Sequence, residues 1–128
     1  MQNMSDTAKS ILIIEDEVSI AEVFKKQLEL IGGFAIEIAN GGKEGLQKLQ
    51  SSKYSLVLLD LVMPEMDGLE VLKAINEDEN LKNIPVIVLT NVTSDDAWQK
   101  VRALGAKNIL VKTDVDPDGL IAQINAVI

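Results

Sequence analysis

The sequence predicts an α/β protein in which five β-strands alternate with five helices, the strands forming one parallel sheet covered on both faces. Two features of the 128-residue chain carry this prediction. Three short unbroken aliphatic runs, at 11–14, 56–59 and 86–89, have the character of strands buried on both faces. Between and after them lie segments whose apolar residues recur every three to four positions, the spacing of amphipathic helices.

Residues 1–9 are polar and read as a disordered lead-in; residues 10–128 read as one domain. The first strand is expected over 10–15. Residues 16–31 have helical spacing, with Ala21, Phe24, Leu28 and Ile31 inward and Glu22, Lys25, Lys26 and Glu29 between them. Gly32-Gly33 stops this helix. Residues 34–39 alternate, with Phe34, Ile36 and Ile38 on one side and Glu37 on the other, as an edge strand does. A short helix over 43–50 carries Leu46 and Leu49. The next strand, 55–60, leads into a turn at 63–68 and a helix over 69–78 with Val71, Leu72 and Ile75 inward. A strand at 85–90 precedes a helix at 95–104, whose inward face is Ala97, Val101 and Leu104 and whose stop is Gly105. A short last strand spans 108–112. Asp116 can N-cap the final helix, with Pro117 in its first turn and Leu120, Ile121, Ile124 and Val127 along its face.

Right-handed crossovers turn this order into a parallel sheet. The uninterrupted apolar strands belong in its middle, and the alternating strand at 34–39 and the short one at 108–112 at its edges. That is the flavodoxin-like strand order 2-1-3-4-5, a three-layer (βα)5 sandwich.

Composition removes several function classes. The chain has no cysteine and no histidine, which excludes disulfides, thiolate metal sites, His-ligated zinc and histidine acid–base chemistry. Phe24, Phe34, Tyr54 and Trp98 are its aromatic residues, so the core must be aliphatic. The formal net charge of −8, with no Lys/Arg cluster, argues against direct nucleic-acid binding and against anionic membranes. No apolar run is long enough to span a bilayer and the first ten residues carry no apolar leader core, so a cytoplasmic location is expected.

In open parallel sheets the working site lies outside the carboxyl ends of the strands. Glu15 and Asp16 stand at the end of the first strand, Asp60 at the end of the third, Thr90 of the fourth and Lys112 of the fifth. Each has an ordinary reading alone. Asp16 or Glu17 can be a helix N-cap, Thr90 a plain strand residue, and Lys112 a solvated edge blocker. Together they are harder to dismiss, because carboxylates gathered without a counter-charge repel one another. A bound hard cation resolves that, and Mg²⁺ held by carboxylates and phosphate oxygens fits best. Metal, ammonium and hydroxyl around a nucleophilic carboxylate form a phosphoryl-transfer arrangement.

Over residues 10–128 the chain resembles the receiver domains of two-component response regulators. The features that carry the resemblance are the acidic pair Glu15-Asp16, the string Asp60-Leu61-Val62-Met63-Pro64-Glu65-Met66-Asp67-Gly68, Thr90 and Lys112. The resemblance implies that Asp60 is the phosphoacceptor. It implies that Glu15, Asp16, Asp60 and the Val62 backbone carbonyl hold Mg²⁺, that Thr90 is the switch hydroxyl, and that Lys112 binds the phosphoryl group. The donor it implies is a phosphohistidine on a sensor histidine kinase or a phosphotransfer protein. The output it implies is altered binding of a downstream protein or a second copy through the face of the fourth helix, fifth strand and fifth helix.

Three positions depart from the family pattern. Ile109 stands where an aromatic switch residue is usual, Thr113 where proline usually follows the lysine, and Asn91 where a small residue usually follows the switch hydroxyl. Two further functions compete. One is a pseudo-receiver that docks a partner without phosphorylation, which the loss of the aromatic favours and the complete polar set opposes. The other is an enzyme such as an aspartyl-phosphate phosphatase, which the absence of histidine and of a second general acid opposes. No catalysis beyond the domain's own phosphotransfer and dephosphorylation is therefore expected. The Gly41-Gly42-Lys43 run lacks P-loop spacing, and Val62 stands where a haloacid-dehalogenase-type phosphatase has its second Asp. The sequence ends on its fifth helix and carries no output domain, as a stand-alone receiver or a piece of a larger regulator would. Trp98 is expected either to close the edge of the core or to stand partly exposed for a partner.

Overall fold

The computed structural model describes residues 8–128. Ten elements alternate along them: β1 Ser10–Ile14, α1 Val18–Leu30, β2 Ala35–Ala39, α2 Gly42–Ser51, β3 Leu56–Leu59, α3 Gly68–Glu77, β4 Val86–Thr90, α4 Asp95–Ala103, β5 Asn108–Val111 and α5 Pro117–Val127. The five strands form one sheet in the order β2-β1-β3-β4-β5, and every pairing is parallel. The expected order therefore holds, with the aliphatic runs as the three inner strands. Of the lead-in expected at 1–9, residues 1–7 lie outside the described residues. The Lys9 carbonyl already accepts a hydrogen bond from the Ala35 N–H.

Alternation along the inner strands divides the core into two layers. Leu12, Ile14, Val57, Leu59, Val86 and Val88 face one side, where they meet Leu49, Val71, Leu72, Ile75 and Val101 of α2, α3 and α4. Ile11, Ile13, Leu56, Leu58, Ile87 and Leu89 face the other, where they meet Ala21 and Leu28 of α1 and Leu120 and Ile124 of α5. Both faces of each inner strand are thus covered, which is why these strands show no polar alternation. On β2, Ile36 and Ile38 turn to the α1–α5 layer and Ala39 to the other.

Ile31 corrects the sequence reading. It is 57% exposed and caps the C-terminus of α1, one residue past the last helical turn. The apolar stripe ends at Leu28, because the chain turns away at Gly32 and Gly33, the latter with φ of 72°. α1 also starts at Val18 instead of Asp16, and its N-cap Glu17 makes no side-chain cap bond. Glu17 therefore holds the N-cap position without capping the helix through its side chain. By contrast Asp67, Ser94 and Asp116 each accept a backbone N–H at the start of α3, α4 and α5. No helix among the described residues is long and apolar enough to cross a membrane.

Candidate functional site

Register brings the polar residues together. β1 and β3 pair Ile14 with Leu59, so the next residues, Glu15 and Asp60, emerge side by side, and the Asp60 N–H donates to the Ile14 carbonyl at 3.1 Å. β3 and β4 pair Leu59 with Val88, which sets Thr90 one residue beyond the level of Asp60. β4 and β5 pair Thr90 with Val111, and the Lys112 N–H continues the ladder by donating to the Thr90 carbonyl at 2.9 Å. Lys112 lies one residue past its strand, so it is not an edge blocker. Its side chain is only 9% exposed and turns inward across the sheet.

The ammonium of Lys112 lies 2.5 Å from Glu15 Oε1 and 3.4 Å from Asp60 Oδ2. The Glu17 N–H donates to Glu15 Oε2 at 3.2 Å. Burial raises the Glu15 carboxyl above its ordinary value; the Lys112 hydrogen bond opposes this and the neighbouring Asp60 adds to it. Burial also works against the Lys112 charge, but its hydrogen bond to Glu15 and the Asp60 carboxylate outweigh that, so its pKa is raised. Carboxylate oxygens of Glu15, Asp16 and Asp60 lie within 4.8 Å of one another, with Glu15 and Asp60 buried and Asp16 half-buried. An all-oxygen, triply anionic set at this spacing, matched by one ammonium, fits a hard divalent cation.

Asp60 opens into a cavity of about 290 Å³ whose walls include Thr90 and Lys112 and whose rim includes Val62, Asn91 and Val92. Val62 is 64% exposed at this rim. The loop after β3 folds back tightly, with Glu65 left-handed at φ of 68° and the Gly68 N–H donating to the Leu61 carbonyl at 2.8 Å. A Cβ at Gly68 would overlap the Asp60 carbonyl oxygen and stand 2.6 Å from the Leu61 Cα. Glycine at this position lets α3 pack directly behind the Asp60 backbone.

Three hydrogen bonds on the far wall were not foreseen from the sequence. The Thr113 N–H donates to Asn91 Oδ1 at 3.2 Å, tying the loop after β5 to the loop after β4. The Trp98 indole N–H donates to the Val92 carbonyl at 2.7 Å, while the Val92 N–H donates to the Thr90 hydroxyl oxygen at 3.1 Å. Trp98 is half-buried against the α2–α3–α4 layer, with the Arg102 guanidinium 5.6 Å from its ring centroid. Ile109 is buried in that same layer. The sequence marked Asn91 and Thr113 separately as departures. The one available signal that they are partners is that replacing proline restores an N–H donor opposite an amide.

The family described as response regulator receiver domain matches residues 11–125. The chain is a response regulator receiver domain. This receiver is 41% identical over 118 residues to the transcriptional regulatory protein CpxR homolog of Haemophilus influenzae, covering 92% of this chain and 49% of that one. It is 36% identical over 120 residues to the response regulator ArlR of Staphylococcus saprophyticus, covering 92% and 51%. The receiver thus spans about half the length of these curated relatives. Among solved structures it matches the chemotaxis protein CheY4 of Vibrio cholerae with a TM-score of 0.88 at 30% identity, over 95% of this chain and all of that one. The family read from Glu15-Asp16, the Asp60–Gly68 string, Thr90 and Lys112 therefore holds, as does the fold read from the aliphatic runs.

Proposed function

We propose that this receiver accepts a phosphoryl group on Asp60 and uses it to switch partner binding. The observation that carries the reading is the Lys112 ammonium, buried at 3.4 Å from Asp60 beside three converging carboxylates at the mouth of a cavity. A carboxylate oxygen of Asp60 attacks phosphorus, and the new O–P bond forms as the bond from phosphorus to the donor breaks. The donor is a phosphohistidine of a sensor histidine kinase or phosphotransfer protein. The donor's imidazole carries a proton on its second ring nitrogen, so the nitrogen released from phosphorus takes the bonding pair and the ring leaves as neutral imidazole. With a small acyl phosphate the leaving group is a carboxylate, and no proton is needed.

Glu15, Asp16, Asp60 and the Val62 carbonyl are the residues that would hold Mg²⁺, which when bound neutralises charge on the phosphoryl oxygens. Lys112 is pre-positioned by Glu15 to meet the same charge. Thr90 offers its hydroxyl proton to the phosphoryl group, which draws the β4–α4 loop with it. The output face is the surface of α4, β5 and α5, presented to a downstream protein or a second copy. The domain performs no chemistry beyond its own phosphorylation and dephosphorylation, and it works in the cytoplasm. A docking role independent of phosphorylation draws support from Ile109 alone, and the converging polar set around Asp60 opposes it.

The test is labelling with a small acyl-phosphate donor and Mg²⁺. Wild type is expected to label, and Asp60→Asn to remain folded but unlabelled. Labelling of Asp60→Asn at the wild-type rate would move the acceptor elsewhere.

A further inference from the structure

A phosphoryl group on Asp60 brings three strong acceptor oxygens into a cavity with few donors to meet them. The Lys112 ammonium already serves Glu15 and Asp60. The Thr90 hydroxyl accepts from the Val92 N–H and has a single proton to give. The remaining lining residue with a side-chain donor is Asn91, exposed at the cavity rim.

The orientation of this amide is set by its neighbour. Oδ1 accepts from the Thr113 N–H at 3.2 Å. A backbone N–H can meet only the oxygen of an amide, so the flip state follows from the bond. With Oδ1 committed to the β5–α5 loop, Asn91 has its Nδ2 group to offer the cavity it lines. Those two N–H donors have no partner among the described residues. They are also neutral. A second ammonium here would be drawn to the resting carboxylates of Glu15 and Asp60, whereas an amide competes for them weakly and remains available to the incoming anion.

We propose that Asn91 is a further ligand of the phosphoryl group, its Nδ2 donating to a phosphoryl oxygen while the Oδ1–Thr113 bond keeps it aimed. The inference rests on the reading of Asp60 as phosphoacceptor. Asn91 neither gains nor loses a proton as the Asp60 O–P bond forms and the donor's bond breaks. It stabilises the charge spread over the non-bridging oxygens, which is present in the transfer step and in the phosphorylated product.

The experiment follows the Asn91 side-chain amide by proton–nitrogen NMR as the protein is loaded with Mg²⁺ and beryllium fluoride, a phosphoryl mimic. The two Nδ2 proton signals, assigned by their loss in Asn91→Ala, are expected to shift and to exchange more slowly with water on loading. A role limited to tying the two loops leaves their exchange with water as fast as before, because that bond uses Oδ1 and a moving loop shifts the signals without protecting them. In parallel, Asn91→Ala should label from a small acyl phosphate roughly ten- to a hundredfold more slowly, the scale of one hydrogen bond to a charged group. Asn91 signals that exchange as fast as before, in a protein whose backbone amides around Asp60 do respond, overturn the inference and leave Asp60 standing, as does wild-type labelling of Asn91→Ala. If no signal responds and wild type does not label, the reading of Asp60 falls and the inference with it.

Discussion

Replacing Lys112 with methionine isolates the electrostatics of the site. The side chains of Lys112 and Glu15 are 9% and 4% exposed, so the pair is buried and little screened. Removing one partner of a buried pair generally costs about 3–5 kcal/mol. The lower end, about 3 kcal/mol near neutral pH, is expected here because Glu15 can relieve its own charge by taking a proton. The sign follows from linkage. Glu15 titrates above its ordinary value of 4.5, so between 4.5 and its folded pKa the native state binds more protons than the unfolded one, and stability falls as pH rises. Without the ammonium that pKa climbs further and the window widens upward. The raised pKa of Lys112 gives wild type a contribution that is intact below 10.5 and lost as pH rises through the folded value. The deficit of Lys112→Met should therefore be smallest near pH 5, larger at pH 7.5, and fade again in strong alkali. Mg²⁺ replaces part of the missing positive charge, and at ten times its dissociation constant it adds ~1.4 kcal/mol. Urea unfolding at pH 5 and 7.5, with and without Mg²⁺, measures all of this. A deficit that is the same at both pH values and indifferent to Mg²⁺ would refute the electrostatic account.

Asp16→Ala removes one of three crowded carboxylates. It should weaken Mg²⁺ binding roughly tenfold or more and raise the melting temperature of the metal-free protein; an unchanged Mg²⁺ titration rules the acidic pair out as the metal site. Gly68→Ala forces a methyl onto the backbone of Asp60 and Leu61, with a loss of about 1–3 kcal/mol in urea unfolding and slower labelling; a neutral outcome in both would mean the loop yields freely. Val62 and Val92 line the cavity that a hydrolytic water must enter, and neither side chain can orient one. The phosphorylated state should therefore outlast seconds, and Val62→Asn with Val92→Glu should speed its decay roughly ten- to ten-thousand-fold. Label lost within seconds from wild type, or no faster from the double variant, sinks that view of lifetime.

The fold was legible because the sheet writes itself into the sequence locally. Runs such as 56–59 are apolar throughout since both faces are covered, and Asp60 is conspicuous as the residue where such a run breaks. The strand ends fixed four of the five site positions for the same reason, and Asp16 followed as the neighbour of Glu15. Boundaries drifted where the site pulls on the chain. α1 begins at Val18 because the Glu17 N–H is taken up by the Glu15 carboxylate, which holds residues 15–17 in a turn ahead of the helix. Ile31 misled because helical spacing continues past the point where Gly32 and Gly33 turn the backbone. Contacts that join separate loops left no local trace. Lys112 and Glu15 are 97 residues apart, and the Asn91–Thr113 bond spans 22. No periodicity connects such pairs; only the closed sheet brings them face to face.

Trp98 gives the β4–α4 loop an unusual mechanical property. Both halves of the Val92 backbone are engaged, its N–H on the Thr90 hydroxyl and its carbonyl under the indole of α4. The loop is therefore a short push-rod with a pivot at each end. If Thr90 is drawn toward a phosphoryl group, the rod must pull on the indole or let it go, and either motion arrives at α4 without an aromatic ring turning over at position 109. Trp98 is also the only tryptophan in the chain. Its emission is thus a gauge wired to the rod, and a stopped-flow trace of the unlabelled protein would time the arrival of the signal at the helix.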